Sequence, residues 1–296
     1  MNAVSNGIRK RQNEAANIAK LTAADTLYAE AKRLNFLKFL LSVMLPFLLS
    51  WVQLFYQGGS FFTALPYALS LVSMALSFLL KPTIDEKITL AADIKQDYDA
   101  SVYEMPWNRD LFGEKRDLTR EIAENSAAGN AGDRFRDWYR PEADAMPLHD
   151  GIFACQRENY AWDGGLRRRY KNLCVWGITA LVLTVVAVEL LKDASVASLL
   201  ASLAFILPIL SWLFETVGAL NADLKRLEEM KARFQSADTR TMKDLQEIQK
   251  SLYEHRKNAV IPPGFLYRLF QDSDEETARH MTEMNSGEKR DETDSV

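Results

Sequence analysis

The chain has 296 residues and is 48% apolar, yet its mean hydropathy is only −0.19 and its formal charge −4. This acidic balance gives no reason to expect DNA or RNA as a partner, and two cysteines, Cys155 and Cys174, cannot build a disulfide framework. About 80 residues fall in long apolar runs of membrane-spanning length, so the rest is strongly polar and too large to be loops alone.

Residues 1–38 are polar and charged, and Ile18, Leu21, Ala24, Tyr28 and Ala31 recur at helical spacing, which predicts an amphipathic helix running toward the membrane. No secretory signal is expected, because the apolar run begins too late and is too long. Residues 39–80 then contain no charged side chain. A bilayer core needs about 20 helical residues, so this run divides into two spans, Phe39–Phe55 and Phe61–Leu80, turned at Tyr56–Ser60. In lipid the backbone must satisfy its own hydrogen bonds, which makes both spans helical.

A cytoplasmic segment follows at 81–171. Its first helix carries Ile84, Ile88, Ala91, Tyr98 and Val102 on one face and breaks at Met105-Pro106-Trp107-Asn108. Asn125–Gly132 reads as a loop and Gly164-Gly165 as a turn. A second pair of spans occupies 172–214, with Leu173–Leu191 and Ala194–Phe214 joined by Lys192-Asp193. Residues 215–270 continue in helices. Val217, Leu220, Leu224, Leu227 and Phe234 form a short seam of alternating three- and four-residue steps, broken only by Lys231, and Met242–His255 is a further helix ending before Pro262-Pro263-Gly264. Residues 271–296 are an acidic tail expected to be disordered. With no strand alternation of any length, the expected fold is an all-α membrane protein of two transmembrane hairpins with cytoplasmic helical segments.

Lys and Arg set the topology. Residues 1–38 carry seven, 81–171 fifteen and 215–296 thirteen, whereas the two turns carry none and one. Both termini and the central segment are therefore expected in the cytoplasm, where the cysteines stay reduced.

Enzymatic chemistry finds little support. His149, His255 and His280 are scattered, with no metal-ligand spacing and no phosphate-cradling glycine loop. No catalytic residue, metal or cofactor is expected. Two other patterns stand out. Ser70, Ser73 and Ser77, and likewise Ser195, Ser198 and Ser202, form stripes at i, i+3, i+7 spacing. They suit close helix packing or the lining of an aqueous path, and a stripe can serve both. The stretch Cys155–Tyr170 concentrates amides, guanidinium groups and aromatics. Gln156, Arg157, Asn159, Trp162 and Arg167, Arg168 and Arg169 offer phosphate pairing and base stacking, with Trp107 and Asn108 as weaker candidates. The basic run Arg167–Lys171 equally suits a positive-inside anchor on anionic lipid.

Several stretches together resemble the SMODS-associated four-transmembrane effectors of bacterial CBASS anti-phage systems. They are Arg11–Glu14, Tyr28–Leu34, Tyr98–Asn108, Trp138-Tyr139, Cys155–Asn159 with Trp162-Asp163 and Leu166-Arg167, Leu245–Ile248 and His255-Arg256. Glu247 stands where the pattern carries Asp. The resemblance implies an effector of the bacterial inner membrane, activated by a cyclic di- or oligonucleotide from a co-encoded nucleotidyltransferase. It would form a homo-oligomer and permeabilise the membrane, causing abortive infection. Four thin spans enclose no water alone, which is why several copies are needed. A constitutive channel or transporter, or a membrane-anchored scaffold recruiting a partner through the 217–234 seam, are the alternatives.

Overall fold

The computed structural model describes residues 5–49, 60–129, 134–193, 195–236 and 240–262, without the side chains of 60–67, 70, 74, 77, 161–164, 197, 198, 201–205, 208 and 236. Among them every regular element is helical: α1 (Ile8–Gln12), α2 (Ala15–Phe39), α3 (Ser60–Val102), α4 (Arg109–Phe112), α5 (Thr119–Ala128), α6 (Leu148–Leu191), α7 (Val196–Ser236) and α8 (Met242–Asn258), with a 3-10 turn at Pro141–Ala145. Three of these run past 40 residues. They cross between polar and apolar sequence without a break, so α3, α6 and α7 each carry a polar half and an apolar half on one rod.

The helix α2 passes into a π-helical turn, Leu40–Met44, and continues through 45–49. Pro46 explains the widening. It has no N–H for the carbonyl four residues earlier, and its ring would crowd that carbonyl. Ser73 of α3 is buried and donates its hydroxyl to the Leu41 carbonyl inside the widened turn, bonding the two helices across their interface. Ser195 is exposed, and the other four serines of the stripes have side chains outside the described residues.

Two antiparallel pairs result, α2 with α3 and α6 with α7. Alanines let the first pair close tightly: Ala23, Ala24, Ala31, Ala91 and Ala92 have essentially no exposed surface. In the second pair, Leu220 and Leu227 of the expected seam are buried, with Val217, Leu224 and Phe234 half-buried. The apolar halves show the opposite pattern. Leu71, Phe78, Trp176, Leu183, Leu191 and Phe214 are all well over half exposed. Such a continuous apolar surface is unsuited to water. Among the described residues one helix, α6, is long and apolar enough to cross a membrane, and only 11% of its apolar window is buried. Of the turn expected at Tyr56–Ser60, residues 56–59 lie outside the described residues and Ser60 is the first residue of α3.

Two local expectations are corrected. Asn125–Ala128 is the last turn of α5 rather than loop, because three alanines between 123 and 128 favour helix and the Asn125 amide bonds the Glu121 carbonyl. Gly164-Gly165 is helix interior rather than a turn. Two glycines cost about 1 kcal/mol each there, and burial of Ile152, Cys155 and Tyr170 on the same helix outweighs that. The turn after α6, at Lys192-Asp193 as the sequence suggests, places Asp193 in the left-handed region, φ 48°.

The polar ends share one core. Ile8, Leu21, Tyr98, Val102, Phe135, Tyr139, Ile152, Met230, Leu245 and Leu252 pack in a single cluster, joining the N-terminal, central and C-terminal segments. The helix α8 lies against both pairs, capped by a Thr241–Asp244 capping box. Leu245→Ala, at a position with no exposed surface, should cost about 2–5 kcal/mol. Thermal unfolding in detergent measures it, and a loss well below that range would show that α8 docks loosely.

Candidate ligand cleft beneath the helix pairs

A cleft of about 530 Å³ opens where α2, α6 and α8 converge with the chain that leaves α8. Its walls include Tyr28 and Lys32 of α2, Lys95 of α3, Trp138 and Tyr139, Glu158, Asn159 and Arg167 of α6, and His255 and Arg256 of α8. Residues 259–262 close one side. Lys32 lies seven residues before the apolar run, about 10 Å along the helix, so the cleft sits just under the apolar halves.

The base of the cleft is a buried polar hub. Asp99 is 1% exposed and accepts from Tyr139 Oη at 2.7 Å, Gln249 Nε2 at 2.8 Å and Arg256 at 2.6 Å. Gln12 and Tyr139 add a reciprocal pair, side-chain oxygen to backbone amide at 2.7 Å and side-chain amide to carbonyl at 3.1 Å. Gln249 Nε2 also reaches Gln96 at 2.9 Å. Burial opposes the Arg256 charge, but Asp99 more than offsets it and holds the guanidinium firmly protonated. Burial likewise pushes the Tyr139 phenol well up, so it remains a donor.

The mouth is chemically different. Trp138 is 37% exposed, and Lys95 Nζ sits 5.1 Å from its ring centroid. Lys32 stands nearby, its pKa lowered by burial against the opposing pull of Asp25. An exposed indole face beside two ammonium groups is chemistry for a flat ring attached to phosphate.

Glu158 carries the opposite sign, and burial raises its pKa despite Arg140 at 3.5 Å. An acid whose folded pKa exceeds its unfolded value weakens the fold as pH rises through the carboxylate range, and costs nothing once protonated in both states. Glu158→Gln should therefore raise the melting temperature at neutral pH, with the gain vanishing in acid below the ordinary Glu range. A gain that persists undiminished in acid would assign the effect to something other than ionisation.

The residues expected from sequence are divided by the fold. Asn159 lines the cleft and donates to Tyr139 Oη at 2.9 Å. Arg167 lines it too, but its guanidinium is buried against Asp223, Nε to Oδ2 3.2 Å. Gln156 is fully buried outside the cleft, its amide donating to the Leu245 carbonyl at 2.9 Å and Gln249 at 3.0 Å. Arg157 and Arg168 are exposed, Arg169 is half-buried, and the Trp162 side chain lies outside the described residues. Trp107 belongs to a smaller cleft of about 240 Å³, where its indole donates to the Gly113 carbonyl at 2.9 Å and Lys115 lies 5.6 Å from its ring. Asn108 caps α4 through the Asp110 amide at 3.0 Å. Lys32, Lys95 and Arg256 were not among the expected contacts. They lie on three helices far apart in the chain, and only the pairing of α2 with α3 beneath α8 assembles them.

An all-helical body with long rods passing from a shared polar-end core into lipid-suited apolar halves defines a membrane-associated helical protein with a cleft beneath those halves. The sequence comparison gives it a family: residues 6–284 match the SMODS-associating 4TM effector domain, and the chain belongs to that family. None of the curated proteins or solved structures matches the chain.

Proposed function

We propose that the chain is a cyclic-nucleotide-activated effector of the bacterial inner membrane, with four spans and both termini in the cytoplasm, working in CBASS anti-phage defence. A co-encoded nucleotidyltransferase supplies a cyclic di- or oligonucleotide; the effector assembles as a homo-oligomer, permeabilises the membrane and ends the infection with the host cell. The observation that carries this reading is the placement of the cleft. Its walls are the same rods that continue into the apolar halves, so a ligand there contacts the spans through unbroken helix.

In this reading a base stacks on Trp138 while phosphate meets Lys95 and Lys32. Activation requires the ligand to bind the open or assembled state more tightly than the resting one; equal affinity would shift nothing. The test is leakage of dye or ions from liposomes holding the purified protein, with cyclic di- and trinucleotides added singly. Leakage on addition of one nucleotide, with measurable binding of it, supports the proposal. Leakage without nucleotide would indicate a constitutive channel. Impermeability throughout, with no nucleotide bound and a stable protein partner recovered, would indicate a scaffold.

A further inference from the structure

We propose that Asp223, with the strap Ala259–Pro262 that it holds, is the latch that keeps the two helix pairs in their ligand-free arrangement and that filling the cleft releases it. The inference rests on the reading of the cleft as a ligand site and assigns that site its means of control.

Beyond the shared core, where Leu21, Tyr98 and Val102 of the first pair cluster with Ile152, Cys155 and Met230 of the second, the pairs are joined by α8 and the chain leaving it, and where Phe39 meets Trp212 at 4.7 Å. The strap is extended from its first residue, Ala259, at φ −73° and ψ 139°. Successive side chains of an extended chain point to opposite sides, and this one uses both. Val260 packs with Tyr170, Cys174, Leu213 and Leu220 of the α6–α7 pair. Ile261 packs with Ala31, Ile84 and Ile88 of the α2–α3 pair. Two adjacent residues thus bridge the pairs one or two helical turns beneath the apolar halves.

The strap is pinned through its backbone. Asp223 of α7 has no exposed surface and accepts the Val260 amide at 2.7 Å. The same carboxylate takes Arg167 of α6 and Arg226 of α7, and Arg226 also donates to the Asn258 carbonyl at 3.1 Å. One buried charge therefore fixes α6, α7 and the strap together. Its neighbours Arg167 and Val260 also line the cleft. A ligand occupying the cleft bears directly on the groups that hold the latch, and a phosphate offers Arg167 an alternative anion to Asp223. Buried networks of this kind switch between discrete arrangements rather than deforming gradually. Asp223 is accordingly a positioning residue: it contacts no ligand and acts through Arg167 and the strap.

The decisive variants loosen the strap without stranding a buried charge. Val260→Pro removes the amide donor, sets a ring carbon against Asp223 and trims the packing on Tyr170 and Leu220, all of which loosen the strap, and the extended Ala259 already has the conformation that a following proline requires. Ile261→Ser releases the other anchor. Asp223→Asn serves as a third variant, with circular dichroism melts separating loss of latching from loss of fold. The full chain is placed in liposomes and leakage is read with no nucleotide. Val260→Pro and Ile261→Ser should leak roughly tenfold faster than wild type, the population shift expected when one buried hydrogen bond is lost from the closed state alone. Folded variants that stay as tight as wild type would overturn the latch. Because this readout contains no nucleotide, it is independent of the ligand assignment. Leaky variants beside a wild type that answers no nucleotide would keep the latch and sink that assignment. Tight variants beside a responsive wild type would do the reverse.

Discussion

Replacing Asp99 with alanine should lower the melting temperature of the detergent-solubilised protein by roughly 10 °C, the largest single effect expected in the polar body. Asp99 is the acceptor on which Tyr139, Gln249 and Arg256 converge, and it has 1% of its surface exposed. Its removal leaves the Arg256 charge buried and uncompensated, a loss of about 3–5 kcal/mol. The damage spreads because the hub joins segments far apart in sequence: Tyr139 also holds Gln12 and Asn159, and Gln249 also holds Gln96 and Gln156. Replacing Arg256 with methionine in the alanine background should recover part of the stability, since it removes the stranded charge while filling its space. A single Asp99→Ala variant that melts with wild type would show that water reaches Arg256 and that the hub is not sealed.

Trp138→Ala should weaken the nucleotide response by roughly tenfold to a hundredfold in the concentration needed for leakage, since base stacking on an aromatic is worth about 1–3 kcal/mol. The residue is 37% exposed, so truncation spares most of the core and the loss reads on the ligand. Lys95, over the same ring, shares the role, and Lys95→Ala should act in the same direction. Arg157→Ala is the informative comparison. Arg157 sits exposed on α6 and is not a wall of the cleft. If Arg157→Ala abolished leakage while Trp138→Ala responded as wild type, the ligand would belong on the outer face of α6 instead.

The burial pattern of the polar half of α3 was readable because one repeat served one partner. Ile84, Ile88, Ala91, Tyr98 and Val102 are all buried as their spacing requires. The same holds for Leu220 and Leu227 in the 217–234 seam and for the helix Met242–Asn258, whose start is written in its capping box. Gly164-Gly165 misled because local propensity is a weak prior against a 44-residue helix buried along one face. The serine stripes were legible as faces but not as roles: Ser73 bonds across the interface of the first pair, a partner no spacing could name.

The candidate site divides along the same line. Residues concentrated in one stretch of chain, Cys155–Tyr170, drew attention because density in sequence mimics density in space. Gln156 from that stretch is instead committed to Gln249 outside the cleft, while Asn159 and Arg167 each reach the cleft beside a structural bond, to Tyr139 and to Asp223.

What the sequence determined by itself is what depends on runs and periods: the all-helical class, the apolar segments, the burial faces and the family. These follow from hydrophobicity and helical spacing, which are local properties of the chain. The tertiary structure alone decided which polar groups are committed to one another and which face the cleft. Trp138, Lys95 and Lys32 meet because α2 packs on α3 beneath α8, and one strap residue serves each helix pair because the chain there is extended. A buried hydrogen bond or ion pair is set by which helices converge, and pairings across a hundred residues leave no periodic trace in sequence.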